Sequence, residues 1–193
     1  MNITNIMNTI ALDNIFDDDT NKIIINYLEK QHSWYLDADS YNKNLNCDIE
    51  NHSDTGMLLL SYSTEQSQYM NQHNTNINGL GTLILDKILM KIKPLQFNNL
   101  RLNRFLWNYY NKASTGISHS DMTFITAENY CSIIYYLNTC DGYTMIGDKK
   151  YESKSGSCVI FDSKIKHRGI GPTSDKKRFV LNIMFSYSDI VGI

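Results

Sequence analysis

Proline and cysteine are scarce in this chain of 193 residues, and it has no long apolar run and no strong net charge. Its 2 prolines and its charged fraction of 20% exclude collagen-like, mucin-like and wholly disordered chains. The longest apolar runs, such as Met57 to Leu60, fall far short of the roughly 20 residues that cross a bilayer. We therefore expect one folded domain, 1–193, without a membrane span.

The cysteines and the first residues bear on the cellular compartment. Cys47, Cys131, Cys140 and Cys158 form no CxxC pair, so the zinc-ribbon and thioredoxin motifs are both missing. The opening segment MNITNIMNTI lacks the cationic start and the continuous apolar stretch of a secretory signal. We expect idle thiols and a cytoplasmic protein.

Charge is distributed unevenly. Residues 1–97 hold 6 basic against 12 acidic side chains, and residues 98–193 hold 12 against 8, which gives the overall net charge of −2. The overall balance disfavours a protein that coats DNA. The basic half suits an anionic small molecule, although a solvated lysine-rich surface explains most of those lysines equally well.

Two helices are predicted before Pro94 and a series of strands after it. Apolar residues recur at helical spacing in 21–30, behind the acidic run Asp17 to Asp19, and again in 79–93. The segment 41–56 is polar and is predicted to be a loop, and Met57 to Ser63 is a candidate strand. Further strands are predicted at 100–109, 116–119, 130–137, 144–146, 149–152, 157–161 and 178–186.

This order of elements predicts an α+β protein. Short strands in series are typical of a jelly roll, the double-stranded β-helix, with the N-terminal helices packed on one sheet. We divide the domain into 1–95, a helical and irregular support, and 96–193, the double-stranded β-helix core.

Residues with good metal chemistry follow one another in the strand-rich half. Alternate side chains of an extended chain share a face, so His119 and Asp121 can point to one spot, to which His167 can return through the fold. Two imidazoles and one carboxylate leave positions open on an octahedral ion, as in non-haem Fe(II) oxygenases. An isolated His-x-Asp is better explained by a strand-end histidine hydrogen-bonded to a turn aspartate, and only His167 and Arg178 in register reverse that balance.

Arg178 lies 11 residues after His167, at the start of the run RFVLNIMF. An inward-facing arginine is costly unless it meets an anion, and a bound dicarboxylate would supply that partner. The neighbouring Lys177 could compete for this role, but the planar guanidinium fits a carboxylate better.

Several segments together resemble the prolyl-hydroxylase-like branch of the 2-oxoglutarate and Fe(II)-dependent dioxygenases. They are WNYYNKASTGISHSD (107–121), CSIIYYLN (131–138), the turn DGYT (141–144), GSCVIFDSKIKHRG (156–169) and KRFVLNIMF (177–185). The turn departs from the family's GGxT-like segment by having Asp141 first.

The resemblance implies roles for seven residues. His119, Asp121 and His167 bind Fe(II), and Arg178 holds the distal carboxylate of 2-oxoglutarate. Tyr136 and Tyr109 line the cosubstrate pocket, with Tyr110 as the alternative to Tyr109, and Asn182 adds a hydrogen bond.

The implied reaction consumes O2, converts 2-oxoglutarate to succinate and CO2, and hydroxylates an unactivated C–H bond, with ascorbate keeping the iron reduced. We expect a protein or peptide residue, proline first, as the substrate, and a free amino acid or small metabolite second. Nucleic acid ranks third, because the chain lacks an aromatic and basic stripe.

Two other classes stay open. A catalytically silent jelly-roll module could use the same fold to bind a ligand. A zinc hydrolase could use the same three ligands, but it leaves Arg178 unexplained and offers only Glu128 and Glu152 as general bases in this half.

Overall fold

A computed structural model describes residues 9–30, 56–63, 75–92, 95–122 and 129–192. The helices are α1 (Asp18–Glu29) and α2 (Thr75–Lys91). The strands are β1 (Ile10–Leu12), β2 (Gly56–Ser63), β3 (Leu95–Asn98), β4 (Arg101–Tyr110), β5 (Asn129–Tyr136), β6 (Tyr143–Ile146), β7 (Lys149–Glu152), β8 (Cys158–Asp162), β9 (His167–Ile170), β10 (Arg178–Tyr187) and β11 (Asp189–Gly192).

Helix α1 begins at Asp18, inside the acidic run and three residues before the predicted start at Asn21. The Asp17 carboxylate accepts a hydrogen bond from the backbone N–H of Thr20 at 2.7 Å and caps the first turn. Asp18 and Asp19 follow in that turn, where negative charge meets the positive end of the helix dipole. Ile24 and Leu28 are buried, four residues apart on one side of the helix.

The strands form a larger and a smaller sheet and a two-stranded ribbon, and every pairing is antiparallel. The larger sheet has the order β1-β8-β5-β10-β4-β2, the smaller sheet β7-β6-β9, and the ribbon β11-β3. The two longest neighbours, β4 and β10, pair from Arg178 opposite Tyr110 to Ser186 opposite Arg101, with one irregularity after Met184.

Alternation along the strands separates two apolar clusters on the two faces of the larger sheet. On one face Phe105, Trp107, Ile133, Tyr135 and Leu181 share a cluster with buried residues of both helices. On the other face a smaller cluster brings Ile134, Tyr136, Val159, Phe161 and Val180 together with Ile146 of the smaller sheet. The space between the two sheets is called the lumen below, and all of the candidate site residues except Tyr109 lie around it.

The predicted α+β class is confirmed in its coarse form, because the described residues form mostly antiparallel sheet with two helices. Most predicted strands are found within about a residue of their bounds, whereas the short strands β1, β3, β9 and β11 have no counterpart in the sequence prediction. Most of the predicted loop 41–56 lies outside the described residues. In the described parts of the chain, no helix has the length and apolar character needed to span a membrane.

The strand predicted at 116–119 is wrong. The chain meets β9 there only at two isolated bridges, Thr115 to Ile170 and His119 to His167. Three residues lie between Thr115 and His119, but only two lie between His167 and Ile170. The two bridges therefore cannot belong to one regular ladder.

Candidate metal centre and anion pocket

The bridge between His119 and His167 is what brings the two histidines together. Backbone hydrogen bonds link them in both directions, at 3.0 and 2.8 Å, and the ring centroids are 4.4 Å apart. Each ring nitrogen Nδ1 lies near a carbonyl oxygen two residues earlier, at 2.9 Å from Ile117 and 3.1 Å from Ile165. A carbonyl only accepts, so each Nδ1 donates, and in the neutral rings each Nε2 keeps its lone pair for a ligand.

Asp121 completes the cluster with a fully buried carboxylate. Its Oδ1 lies 3.7 Å from Nε2 of His119, and its Oδ2 lies 3.5 Å from Nε2 of His167. The Ser132 hydroxyl donates to Oδ2 at 2.6 Å, and Arg104 forms a short ion pair with Oδ1. The ligand atoms of the three residues all lie within 4.8 Å of one another.

The electrostatics of the cluster favour the forms that bind a metal. Burial lowers the pKa of His167, although Asp121 opposes the shift, and this keeps the imidazole neutral. Burial acts to raise the pKa of Asp121, but that pKa is held well below its usual range, chiefly by the Arg104 guanidinium. Nε2 of His167 is buried and makes no hydrogen bond to the described residues.

Two imidazoles and one carboxylate within a few ångströms could hold a divalent metal ion. This nitrogen and oxygen donor set suits Fe(II) and leaves coordination positions open. The buried, unbonded Nε2 of His167 is a polar atom that a metal ion would satisfy, so the residues present fit the ion that the sequence suggested.

Arg178 lies at another part of the lumen with its side chain buried, 1% exposed. Its Nη2 donates to the Thr144 hydroxyl oxygen at 2.6 Å, while Nε and Nη1 make no hydrogen bond to the described residues. The guanidinium carbon lies 4.9 Å from the Tyr110 ring centroid and 5.4 Å from that of Tyr136. A buried cation with two unsatisfied donors fits a small anion.

Thr144 connects Arg178 with Tyr136. The Tyr136 hydroxyl donates to the Thr144 hydroxyl oxygen at 3.0 Å, and burial raises the pKa of this tyrosine although Arg178 opposes the shift. The Thr144 oxygen thus accepts from both Tyr136 and Arg178, which uses both of its lone pairs. Its own O–H is left to donate to a group bound beside Arg178.

Two glycines make room for this anion pocket. A Cβ on Gly142 would lie 2.7 Å from Cδ of Arg178, and a Cβ on Gly169 would lie 2.5 Å from the Tyr110 ring. Both distances are shorter than side-chain carbons allow, so any larger residue would displace the guanidinium or the ring stacked on it.

The structure places Tyr109 outside the pocket, which corrects the predicted assignment. Tyr109 lies on the helix-facing side of the larger sheet, where its ring centroid is 5.5 Å from that of Phe179. Tyr110, one residue later, occupies the position over Arg178. Alternation is the physical reason, because Trp107 and Tyr109 point to the face opposite that of Tyr110.

The other predicted residues lie as follows. Asn182 is buried and donates through Nδ2 to Asp121 Oδ2 at 3.4 Å, nearer to the metal cluster than to Arg178. Lys177 points away from the lumen, with Nζ 3.3 Å from a Glu29 carboxylate oxygen and 5.0 Å from the Tyr109 ring centroid.

Sequence reasoning missed Arg104, Ser132 and Thr144 as parts of the site, and it offered Tyr110 only as the alternative to Tyr109. Tyr110 had a readable signal, because the large apolar residues Phe105 and Trp107 fix which face of β4 meets the core. Arg104 and Ser132 had none, since their contact with Asp121 spans 17 and 11 residues and depends on strand pairing.

Comparison with known proteins defines the fold. No protein-family model matches the chain, and no curated protein matches it in sequence. Among solved structures, it is similar to the viral collagen prolyl hydroxylase of Paramecium bursaria Chlorella virus-1 at TM-score 0.61 and 12% identity, over 96% of this chain and 99% of that chain.

Two further structures give the same result. HygX from Streptomyces hygroscopicus, solved with nickel and 2-oxoglutarate, matches at TM-score 0.61 and 10% identity, over 96% of this chain and 85% of that chain. A Pseudomonas putida prolyl-4-hydroxylase matches at TM-score 0.56 and 11% identity, over 93% and 92%. The chain therefore has the fold of the 2-oxoglutarate and Fe(II) oxygenases, as the sequence resemblance implied.

Proposed function

We propose that this protein is an Fe(II)- and 2-oxoglutarate-dependent dioxygenase that hydroxylates an unactivated C–H bond. One observation carries the proposal, namely that a cluster of His119, Asp121 and His167 shares its lumen with a buried arginine that has two unsatisfied donors. The fold shared with solved 2-oxoglutarate oxygenases supports the same assignment.

In this proposal the cosubstrate lies between Arg178 and the metal cluster. Along β10, Val180 and Asn182 follow Arg178 on the same face, and Asn182 contacts Asp121. Four residues of strand span about 13 Å between Cα atoms, which leaves room for a short diacid between the two side chains. Arg178 and the Thr144 hydroxyl would bind its distal carboxylate.

Each residue of the candidate site has a defined task in this assignment. His119 and His167 offer Nε2 lone pairs from rings whose orientation is fixed by Nδ1, and Asp121 offers a carboxylate oriented by Ser132. The apolar residues Val180, Phe161 and Ile134 exclude water around them. Bound Fe(II), with O2 and 2-oxoglutarate, supplies the oxidation of a C–H bond, and ascorbate would keep the iron reduced.

The assignment is tested by binding and turnover. Calorimetry without oxygen should detect 2-oxoglutarate binding to the wild type with Mn(II) present, and Fe(II), ascorbate and O2 should convert 2-oxoglutarate to succinate. Arg178→Ala should weaken 2-oxoglutarate binding more than tenfold while leaving Mn(II) affinity unchanged, because a buried charge-assisted contact is lost.

Lys177→Ala is the matched control, because it removes a neighbouring cation that lies outside the lumen. It should leave 2-oxoglutarate affinity at the wild-type value, and a loss there would move the anchor to Lys177. His167→Ala should abolish succinate formation. Metal binding without any 2-oxoglutarate binding would favour the zinc hydrolase or the silent module instead.

For the substrate we propose a protein or peptide side chain, with proline first and a free amino acid or small metabolite second. Two of the structural neighbours are named as prolyl hydroxylases, and HygX has also been solved with hygromycin B bound. Mass spectrometry after turnover should find one added oxygen atom in a proline-containing peptide library. Oxidation confined to free amino acids would select the second class. We also propose a cytoplasmic location.

A further inference from the structure

Arg104 is a charged residue of the lumen that the proposed reaction does not use. Its Nη2 forms a short ion pair with Oδ1 of Asp121, and its side chain is 18% exposed while that of Asp121 is fully buried. Arg104 lies on β4 opposite Met184 of β10, whereas Arg178 lies opposite Tyr110. The two arginines therefore contact different parts of the lumen, six residues apart along the same strand pair.

The donors around Asp121 are divided between its two oxygens. Oδ2 accepts from Ser132 at 2.6 Å and from Asn182 at 3.4 Å, so both of its lone pairs are engaged. Oδ1 accepts from Arg104 and faces Nε2 of His119 at 3.7 Å. The guanidinium is thus bonded to the oxygen that keeps a lone pair for a metal ion, and this places a fixed positive charge beside that position.

A fixed cation in this position acts more strongly on a trivalent than on a divalent ion. Coulomb repulsion scales with the product of the charges, and a pair that is mostly buried is screened little by water or salt. The Arg104 charge also offsets the negative charge of Asp121, so the protein ligands together add little anionic charge to stabilise a higher oxidation state.

We propose that Arg104 is a positioning residue that acts through Asp121 to favour Fe(II) over Fe(III) at this site. The proposal rests on the proposed function, since it takes iron to be the bound metal. It assigns to Arg104 the task of limiting oxidation of the resting iron.

The test is the Fe(III)/Fe(II) midpoint potential of the iron-loaded protein, followed by the electron paramagnetic resonance signal of Fe(III). Arg104→Gln keeps hydrogen-bond donors but removes the charge. It should shift the equilibrium between Fe(II) and Fe(III) at least tenfold toward Fe(III). For a one-electron couple this corresponds to a midpoint potential about 59 mV lower. Arg104→Lys keeps the charge and should stay within threefold of the wild-type preference.

Arg101→Gln is the matched control, because it removes the same charge from an exposed position on the same strand. It should leave the potential unchanged. Met184→Glu is the second variant if Arg104→Gln does not fold or bind iron. It places a carboxylate across the strand pair from Arg104, and it should also lower the potential.

An unchanged or raised potential in Arg104→Gln, or in Met184→Glu where that variant replaces it, overturns the inference. An equal shift in Arg101→Gln overturns it as well. Each of these results leaves the proposed function intact if the wild type binds Fe(II) and 2-oxoglutarate. A wild type that binds no iron would remove both the proposed function and the role of Arg104.

Discussion

The Tyr135 hydroxyl makes a buried contact between β5 and α1. It donates to Asn21 Oδ1 at 2.6 Å, and Asn21 in turn donates to Ser155 at 3.1 Å. Tyr135 and Asn21 are both fully buried, so no water can replace the tyrosine hydroxyl. Tyr135→Phe should lower the free energy of unfolding by about 1–3 kcal/mol, because a buried acceptor is left unsatisfied. Urea denaturation measures this change.

Tyr151→Phe is the control for that substitution. Tyr151 is only partly buried, and solvent can hydrate its hydroxyl. The control should change the free energy of unfolding by less than about 0.5 kcal/mol. Equal effects of the two substitutions would mean that the Tyr135 to Asn21 hydrogen bond contributes nothing specific.

At the residue scale, the sequence predicts those site residues whose arrangement depends on local spacing. His119 and Asp121 are two residues apart, and Arg178 begins a run whose alternation can be read directly. Tyr110 is harder to assign, because two adjacent tyrosines point to opposite faces and only Phe105 and Trp107 reveal the phase of β4. Arg104 cannot be found in this way, since only strand pairing brings it to Asp121.

Helix α2 contains two glycines in very different surroundings. A Cβ on Gly79 would meet nothing within 4 Å, whereas one on Gly81 would lie 2.8 Å from the buried Phe105 ring. Gly79→Ala should stabilise the protein by about 0.5–1 kcal/mol, because alanine loses less backbone freedom on folding. In Gly81→Ala the same gain should be outweighed by about 1–3 kcal/mol of overpacking.

The two substitutions control for each other, because they lie on one helix and change the same atoms. Thermal or urea unfolding should rank the proteins Gly79→Ala, wild type, Gly81→Ala. A stabilising Gly81→Ala would contradict the close approach of α2 to Phe105 on β4.

A second pair of glycines tests the turns between strands. Gly147 has φ +55°, and a Cβ there would meet only the Ile165 side chain, at 3.9 Å. Gly156 has φ +75°, and a Cβ there would collide with the Phe16 carbonyl oxygen. Alanine at either position incurs about 1–2 kcal/mol for the left-handed backbone. Gly156→Ala should cost more in urea denaturation, because the collision adds to this strain, and equal costs would contradict the contact with Phe16.

At the element scale, every described strand of five or more residues is predicted, together with two of the short strands, β6 and β7. Strands β4, β5 and β10 have 8 to 10 residues with clear alternation, and their predicted bounds agree within a residue. Strands β1, β3, β9 and β11 have only three or four residues, which is short for a period-two pattern, and the sequence does not predict them. The sequence predicts a strand before His119, but this segment pairs with β9 only at isolated bridges.

At the scale of the whole molecule, the sequence predicts the class of the fold but not its pairing. The order β1-β8-β5-β10-β4-β2 joins strands from both ends of the described chain, and no local pattern specifies it. The metal cluster depends on this topology, because His167 faces His119 through a single bridge between distant segments. A composite site of this kind becomes visible only when the strands are paired.

The stability of the metal-free protein should depend on pH through His167. Burial lowers the pKa of His167 below its ordinary value of 6.5, so the unfolded chain binds a proton at pH values where the folded protein does not. Stability is then complete above about pH 6.5 and falls as the pH drops from there toward the lowered pKa. In urea denaturation between about pH 4.5 and 7.5, the difference between wild type and His167→Gln should grow with pH and level off above about pH 6.5. A difference that does not vary with pH would mean that His167 is not held neutral by the fold.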